Sequence, residues 1–296
     1  MAIGKDQVTI VIPTLNEEEA IGLLIDELRN EGFKNILVVD GYSNDSTVKI
    51  AESKGVKVAF QHGAGKGGAI KTAIDLVDTL YMVVMDGDGT YDPKDIERLL
   101  YYAEKYDLII GARKNRENIP KLHRVGNKII NFIFNFLMNQ SLSDVCSGMY
   151  ILNMKTARKL EFRSKGFDVE VEVAAQCCSN GKVTEVPIRY RKRIGEKKLK
   201  TWRAGLRILW SIAYLARVYN TVFFLAFTAS LFTIPGIAIL VRELALRYLY
   251  GAQAWSEGRA WFGLFLLIVG LHGFTLATVS LILRRIEAKI ASISSG

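Results

Sequence analysis

The sequence is poor in cysteine, histidine and proline, with 3, 3 and 5 of these residues among 296. The three cysteines have no metal-ligand spacing and are odd in number, which indicates reduced, structural thiols rather than a zinc site or a disulfide framework. The glycine-rich segment 62–68 is not a Walker A loop, because Gly67 follows Lys66 where that motif has serine or threonine. It does not match a dinucleotide fingerprint either. A loop that brings Lys66 near a phosphate is favoured over a plain tight turn.

Charged residues are missing from two stretches of 24 residues, 218–241 and 260–283. As a helix, each stretch is about 36 Å long, which is enough to cross a hydrocarbon core of about 30 Å. We therefore predict two transmembrane helices. No cleavable signal peptide is visible, since the N-terminus leads straight into a predicted strand. His272 is the only His, Asp, Glu, Lys or Arg in either stretch, and helix packing is its favoured role.

Positive charge is concentrated next to these stretches. The net charge is +9, and residues 182–217 hold eleven lysines and arginines against two glutamates. The positive-inside rule predicts a cell-membrane protein with cytoplasmic termini, a cytoplasmic N-terminal domain and an external loop at 242–259. Basic residues and tryptophans at helical spacing over 199–217 predict an amphipathic helix in the bilayer interface. Anionic lipid is therefore a better partner for the basic residues than nucleic acid.

Short apolar runs alternate with helical patterns in the N-terminal two thirds of the chain. This alternation predicts βαβ units and a parallel sheet with helices on its faces. We predict strands at residues 8–12, 35–39, 57–60, 81–85, 108–110 and 183–190, with a further apolar run at 149–152. We predict helices at 17–30, 46–54, 127–138 and 169–178, of which 127–138 lies either in the core or against lipid.

Polar residues follow three of these strands directly: Asn16 and Glu17, then Asp40, then Asp86 and Asp88. The carboxyl ends of parallel strands meet at one edge of the sheet, where ligands bind in open α/β folds. Asp86 and Asp88 flank one glycine, and residues i and i+2 of an extended chain point the same way. Two like charges this close favour a hard divalent cation that also takes phosphate oxygens. A solvated turn is the alternative.

Glycines and cations near this pair are compatible with a diphosphate ligand. Gly87 and Gly89 leave room for a bulky group beside the backbone. Segment 111–124 adds several basic residues after the fifth strand, among them Arg113 and Arg124, and arginine pairs with phosphate through two hydrogen bonds. The remaining lysines and arginine of this segment are interpreted as surface charges.

Six motifs, in this order, resemble family 2 glycosyltransferases. They are PTLNE (13–17), VVDGYSNDST (38–47), DGD (86–88), GAR (111–113), DVCSG (144–148) and RIGEKKL (193–199). The last motif, placed before an interface helix and two spans, is similar to that of polyprenyl-phosphate glycosyltransferases, which include dolichyl-phosphate mannose and glucose synthases. The resemblance covers about residues 8–217, and the tail resembles the bacterial polyprenyl-phosphate glucosyltransferases.

The resemblance implies a GT-A fold, an α/β, Rossmann-like domain with a mostly parallel sheet. It implies inverting transfer of one sugar from a nucleotide sugar, GDP-mannose or a UDP-hexose, to dolichyl or another polyprenyl phosphate. The implied segments are a cytosolic transferase domain (1–198), an interface helix (199–217), a first span (218–241), an external loop (242–259), a second span (260–283) and a cytosolic tail (284–296). The two spans leave surface for packing against the spans of further copies of this chain, which is compatible with a homo-oligomer.

The resemblance also implies roles for matching positions. It implies nucleotide-sugar binding by Pro13, Asn16, Glu17, Asp40, Lys66, Asp86, Gly87 and Asp88. It implies Mg²⁺ or Mn²⁺ binding by Asp86, Asp88 and Thr90, and acceptor-phosphate binding by Arg113, Arg124 and Arg193. Asp88, Arg113 and Arg124 are the implied catalytic residues.

Four positions depart from the family pattern. Gly41 stands where a second aspartate is common, and Thr90 where mannose synthases often have a metal-binding glutamine. Lys197 stands where serine is usual, and Asp168 where a lysine is frequent. Because of these departures, GDP-mannose, UDP-glucose and UDP-N-acetylglucosamine all remain possible donors. The departures bear more on the identity of the donor than on the class of reaction.

Three alternatives share parts of this pattern. A processive polysaccharide synthase has the same fold and acidic pair, but also a QxxRW motif and more spans, whereas residues 200–203 read KTWR. A non-catalytic membrane scaffold or flippase subunit would not need the intact acidic pair and arginines, and two spans with little polarity form no transport path alone. A transferase with a protein or diacylglycerol acceptor explains the arginines less well than one with a phosphate acceptor.

Overall fold

The computed structural model describes residues 3–114, 116–162, 169–195 and 220–294, together with residues 210, 213, 214 and 217. The chain divides into two compact units, Met1–Ile212 and Ala213–Gly296. Asp168 and Lys197 lie outside the described residues, and so does the predicted interface helix at 199–217 apart from isolated positions.

One sheet of seven strands is formed by the described residues of the first unit. Its strands are β1 (Val8–Thr14), β2 (Ile36–Asp40), β3 (Lys57–Phe60), β4 (Tyr81–Val84), β5 (Leu108–Arg113), β6 (Tyr150–Asn153) and β7 (Val183–Ile188). Their spatial order is β3-β2-β1-β4-β6-β5-β7. The prediction of an α/β domain with a mostly parallel sheet is confirmed, since β6 alone of these seven runs antiparallel to its neighbours.

Strand β6 is the antiparallel member of this mostly parallel sheet, and its direction follows from the path of the preceding loop. The chain leaves β5 at the carboxyl edge and stays there, because Arg113 N donates to Asp144 at 3.0 Å and Gly148 packs on Asp86 just beyond β4. Strand β6 follows Gly148 closely, so it starts from that edge and runs back against β4 and β5. A direct return of this kind needs no crossover helix, whereas a parallel connection does.

Helices pack on the sheet. In the described part of this unit the α-helices are α1 (Glu18–Asn30), α2 (Thr47–Ser53), α3 (Gly65–Leu76), α4 (Asp95–Leu100), α5 (Lys121–Met138), α6 (Met154–Ala157) and α7 (Val169–Asn180). Helix α1 shows the predicted helical spacing, because Ile21, Leu24, Ile25 and Leu28 are buried in one core with residues of β1 and β4.

Helix α5 begins at Lys121, earlier than the predicted start at residue 127. Pro120 occupies the position just before the helix, and proline is tolerated there because the first N–H groups of a helix have no partner within it. Arg124 therefore lies in the first turn of α5 rather than in the loop that follows β5.

The second unit contains two long apolar helices, α8 (Thr221–Tyr250) and α9 (Glu257–Ser294). Within each of Thr221–Tyr250 and Glu257–Leu283, a stretch of 18 residues has a mean hydropathy of 2.1, and by length and composition each helix could cross a membrane. Helix α8 covers residues 221–241 of the first predicted span and continues to Tyr250. Helix α9 covers the second predicted span, 260–283, and extends beyond it at both ends.

The connection between α8 and α9 comprises residues 251–256, so parts of the predicted external segment 242–259 are helical. Glu243 of α8 is bonded to its neighbour Arg242 and to residues at and just before the start of α9. Glu243 accepts hydrogen bonds from Arg242 at 2.6 Å, from Arg259 at 2.7 Å and from Ser256 N at 2.8 Å.

Replacing Leu24 by alanine tests the core beneath α1. Leu24 is 2% exposed, whereas its neighbour Leu23 is 58% exposed. We expect Leu24→Ala to lower the free energy of unfolding by about 3 kcal/mol, because it leaves a cavity, and the melting temperature by roughly 6 to 12 °C. A thiol-reactive dye will report the transition, since all three cysteines lie in the first unit. Leu23→Ala should shift the melting temperature by less than about 2 °C. Equal losses of melting temperature in the two variants would contradict this burial pattern.

Candidate active site

Three strand ends lie side by side at the carboxyl edge of the sheet. Thr14 of β1 is paired with Asp40 of β2, and Val11 of β1 is paired with Val84 of β4. Asp86 lies two residues beyond the end of β4. The polar residues that the sequence places after these strands therefore lie at one edge, as predicted.

The loops after β1 and β2 are tied together by hydrogen bonds. Asp40 is fully buried and accepts hydrogen bonds from Thr14 Oγ1 at 3.0 Å and from Ser43 N and Oγ at 2.7 and 2.6 Å. Asn16 Oδ1 accepts from Asn44 N, and Asn16 N donates to Ser43 Oγ, both at 2.8 Å. Asn16 has a φ of 53°, a left-handed conformation that asparagine tolerates. Asn16 and Asp40 thus shape the two loops.

Asp86 is paired with a buried lysine. Lys66 Nζ, from α3, contacts Asp86 Oδ1 and Glu170 Oε1, and its side chain is 8% exposed. Glu170 lies in the first turn of α7 with its side chain 4% exposed, and its Oε2 has no hydrogen-bond partner among the described residues. Gly148 packs against the other oxygen of Asp86, because a Cβ at Gly148 would lie 2.2 Å from Oδ2. A larger residue at that position would have to displace the Asp86 carboxylate.

Asp88 is paired with an arginine from a later segment. Arg193 Nη1 donates to Asp88 Oδ2 at 2.5 Å, and Arg193 Nη2 donates to both carboxylate oxygens of Glu17 at 2.7 and 3.0 Å. Thr90 donates to Asp88 Oδ1 from its backbone N at 3.1 Å and from Oγ1 at 2.5 Å. One guanidinium therefore joins the loop after β1 to the loop after β4.

Backbone hydrogen bonds hold the basic segment after β7 beside the Asp88 loop. Arg191 N donates to Thr90 O at 2.7 Å, and Ile194 N donates to Asp88 O at 3.1 Å. These two bonds place Arg193 within reach of the carboxylates, although it lies 105 residues beyond Asp88 in the chain.

The pKa values of this site reflect both burial and charge. Burial of Lys66 acts to lower its pKa, but Asp86 and Glu170 outweigh that effect, so its pKa is raised well above the ordinary value. Burial, and then the charge of Asp86, raise the pKa of Asp88 against its hydrogen bonds and the guanidinium that it faces. Lys66 is therefore a cation at neutral pH, and the two aspartates repel each other even with their cations in place.

Six charged side chains meet here, which we call the acidic cluster. They are the carboxylates of Glu17, Asp86, Asp88 and Glu170 and the cations of Lys66 and Arg193. Four carboxylates against two cations leave two negative charges within this cluster. Oxygen ligands with that excess charge suit a hard divalent cation. Within the described residues no three His, Cys, Asp or Glu converge to hold a metal ion; Lys66 and Arg193 each bridge two of the carboxylates.

Arg113 forms a buried ion pair with Asp144. Its Nε and Nη2 donate to the two carboxylate oxygens at 2.6 and 2.7 Å, and the side chains are 9% and 2% exposed. The guanidinium carbon also lies 5.3 Å from the ring centre of Tyr190. Burial opposes the charge, but Tyr91 and the hydrogen-bonded Asp144 raise the pKa of Arg113. Arg113 is therefore a fixed cation that already has a carboxylate partner.

Three further predicted site residues remain. Pro13 and Gly87 lie at or near the carboxyl edge of the sheet, and Arg124 lies in α5. Pro13 is part of β1, and Gly87 packs on Thr14, since a Cβ at Gly87 would lie 3.0 Å from Thr14 Cγ2. Arg124 is half-buried in the first turn of α5, and its guanidinium makes no hydrogen bond or ion pair with the part of the chain that the structure describes. The acidic cluster thus joins Glu17, Lys66, both aspartates and Arg193, whereas Arg113 and Arg124 lie outside its ion pairs.

Glu170 is a site residue that sequence reasoning missed. Its signal was present, because it lies on a predicted helix whose neighbours are mostly apolar, and a carboxylate on a buried helix needs a partner. Sequence spacing alone does not reveal that the partner is Lys66. Gly148 was noticed only as part of a motif, and its packing on Asp86 explains why that motif ends in glycine.

Comparison with known proteins identifies the family. The chain matches the model for "Glycosyl transferase family 2" over residues 9–160. It is 36% identical over 242 residues to the glycosyltransferase AglJ of Haloferax volcanii, covering 79% of this chain and 80% of that protein. The protein therefore belongs to glycosyl transferase family 2, and the resemblance seen in its motifs is confirmed.

Two further similarities bear on the chain. A dolichyl-phosphate hexose transferase of Haloferax volcanii is 32% identical over 213 residues, covering 70% of this chain and 92% of that protein. Glucosyl-3-phosphoglycerate synthase from Mycobacterium tuberculosis, solved with Mn²⁺, UDP-glucose and phosphoglyceric acid, superposes with a TM-score of 0.60 at 16% identity, covering 71% of this chain and 79% of that chain. The second similarity shows a shared fold, which confirms the expected GT-A architecture.

Neutralising Asp144 tests the role of its ion pair with Arg113. Asp144→Asn leaves a buried guanidinium without its carboxylate, so we expect a loss of about 3 kcal/mol in the free energy of unfolding, measured by scanning calorimetry. Asp26→Asn is the control, because the Lys54–Asp26 pair is 34% and 46% exposed and should contribute less than about 0.5 kcal/mol. Small losses of unfolding free energy in both variants would show that the Arg113–Asp144 pair does not hold the loop between β5 and β6 in place.

Proposed function

We propose that this protein is a membrane-bound, inverting glycosyltransferase that moves one hexose from a nucleotide sugar to dolichyl or another polyprenyl phosphate. The product would be a lipid-linked sugar that serves as a donor for glycan assembly. The acidic cluster supports the proposal most directly, because it combines oxygen ligands for a divalent cation with cations for phosphate oxygens at the ligand-binding edge of the sheet. The similarity to a dolichyl-phosphate hexose transferase favours a polyprenyl phosphate as acceptor.

The donor would lie along the loops after β1 and β2. Pro13, Asn16, Glu17 and Asp40 would line the nucleotide side, where hydrogen bonds already hold the two loops in a defined shape. Gly87 would let the diphosphate approach the backbone, and Lys66 would face its oxygens. A related fold solved with UDP-glucose supports a UDP-hexose as one donor to test.

Asp86 and Asp88 would hold Mg²⁺ or Mn²⁺, with the Thr90 hydroxyl as a further oxygen ligand. The two excess negative charges of the acidic cluster fit a divalent cation. The bound ion would act as a Lewis acid that stabilises charge on the departing diphosphate. The repulsion that raises the pKa of Asp88 would be relieved by such an ion.

Arg113, Arg124 and Arg193 would bind the acceptor phosphate. That phosphate is already an anion near neutral pH, so the residues need to hold it in line with the sugar rather than remove a proton. Arg124 is the most available, because its guanidinium has no partner among the described residues. Arg193 would become available when Asp88 binds a metal ion, and Arg113 would supply a fixed positive charge.

We propose that the transferase unit works at the cytoplasmic face of the cell membrane. Helices α8 and α9 are long and apolar enough to anchor the chain. Basic residues precede the first span, and a polybasic segment is attracted to anionic lipid. Anchoring would keep the enzyme near an acceptor whose isoprenoid chain stays in the bilayer.

A transfer assay with the full-length protein in lipid nanodiscs tests the proposed function. The reaction contains Mn²⁺, dolichyl phosphate and, in parallel, GDP-mannose, UDP-glucose or UDP-N-acetylglucosamine. We expect chloroform-extractable sugar with one donor, and its loss when EDTA removes the metal. Asp88→Asn should slow transfer by at least about 100-fold, because it removes charge that holds the metal and diphosphate. Asp75→Asn, an exposed carboxylate on α3, should stay within about twofold.

Two results would refute the proposal. A long water-soluble polymer would identify a processive polysaccharide synthase. Intact donors with the wild-type protein would favour a non-catalytic scaffold. Equal, measurable rates for wild type and Asp88→Asn would remove Asp88 from the metal site.

Gly148→Ala tests the metal assignment without turnover. A Cβ 2.2 Å from Asp86 Oδ2 must displace the carboxylate, so we expect Mn²⁺ affinity to fall by about tenfold in a titration followed by electron paramagnetic resonance. Gly126→Ala is the control, since nothing lies within 4 Å of a Cβ added there. Melting curves verify that both variants fold, and an unchanged affinity in a folded Gly148→Ala protein would remove Asp86 from the metal site.

A further inference from the structure

Lys66 occupies the place that a metal ion bound to Asp86 would need. Its ammonium contacts Oδ1 of Asp86, while Oδ2 faces Gly148, so both oxygens of this carboxylate have close neighbours. A divalent cation that binds Asp86 therefore meets the ammonium at the same carboxylate, where the two positive charges repel each other.

We propose that Lys66 and the divalent cation compete for Asp86, and that Glu170 is a positioning residue that holds the displaced ammonium beside the donor diphosphate. This competition presupposes the donor site of the proposed function. It adds a role for Glu170 and an order of events in which metal binding frees Lys66 to contact phosphate oxygens.

The charges of the acidic cluster favour this exchange. With a divalent cation on Asp86 and Asp88, that group becomes neutral. Among these six side chains, Lys66 then balances Glu170 and Arg193 balances Glu17, so the six side chains and the metal ion form three neutral groups. Unbalanced charge is costly in a buried site. Three neutral groups are therefore more favourable than an arrangement in which Lys66 stays on Asp86 beside the metal ion.

Glu170 is suited to hold the ammonium throughout. Its carboxylate is almost fully buried and would be an unpaired charge without Lys66. Its Oε2 has no hydrogen-bond partner among the described residues, which leaves a second oxygen for the ammonium after it moves from Asp86. Both oxygens of Asp144, by contrast, are already bonded to Arg113.

Binding measurements with the full-length protein test the competition. Lys66→Gln should bind Mn²⁺ alone about tenfold more tightly, because a competitor is removed, and should bind UDP or GDP in saturating Mn²⁺ about tenfold more weakly, because a phosphate contact is lost. Opposite changes cannot come from misfolding, which weakens both. Lys71→Gln, an exposed lysine on α3, should change neither affinity. Mn²⁺ binding is followed by electron paramagnetic resonance and nucleotide binding by calorimetry.

Glu170 variants test the positioning role. Glu170→Gln should weaken binding of Mn²⁺ alone by about tenfold, since the ammonium then rests on Asp86 only. The double variant Lys66→Gln/Glu170→Gln removes both members of the buried Lys66–Glu170 pair, and the carboxylate that loses its cation, Asp86, is 28% exposed. The double variant therefore remains informative if Lys66→Gln does not fold. It should bind Mn²⁺ more tightly than wild type and should match Lys66→Gln in nucleotide affinity within about twofold, because Glu170 acts through Lys66.

Several outcomes would overturn the inference. Unchanged or weaker Mn²⁺ binding in Lys66→Gln and in Lys66→Gln/Glu170→Gln would show that there is no competition. A lack of Mn²⁺ binding by every protein tested would show the same. Additive losses of nucleotide affinity in the double variant would remove the positioning role of Glu170. A wild-type protein that shows the expected binding changes on substitution but transfers no sugar to dolichyl phosphate would refute the proposed function and leave the exchange supported.

Discussion

Four carboxylates at one edge of the sheet are the constraint on which the rest of this site depends. At this distance and this degree of burial they repel one another unless cations stand between them. Lys66 comes from α3 and Arg193 from the segment after β7, so neutralising the carboxylates also ties these distant parts of the chain to the central strands. The charge that would attract a metal ion therefore also assembles the site.

The two kinds of buried ion pair in this unit differ in how completely their oxygens are bonded. Asp144 receives hydrogen bonds from Arg113 on both oxygens, which makes the pair a fixed part of the structure. Lys66 is shared between Asp86 and Glu170, and one oxygen of Glu170 has no partner in the described chain. Lys66 could therefore leave Asp86 and keep Glu170 as its carboxylate partner, which is the exchange that we propose.

Much of the fold and part of the site could be predicted from the sequence. The strands, the convergence of Asn16, Asp40 and Asp86, and the two apolar helices all follow from patterns among neighbours in the chain. The direction of β6 could not be predicted, because it depends on where the preceding loop packs. The length of α8 could not be predicted either, because its charged end is stabilised by pairing with residues of the next helix.

Apolar periodicity and position at a strand end are local properties, so they can be read from the sequence for most buried residues of the strands and helices and for the acidic residues that follow the strands. Which cation meets which carboxylate depends on the folded chain. Lys66 has Glu170 as a partner, and Arg193 meets Asp88 across 105 residues, because folding buries them together. An ion pair of this kind depends on distance in space and on the loss of water around both charges, and spacing along the chain contains neither.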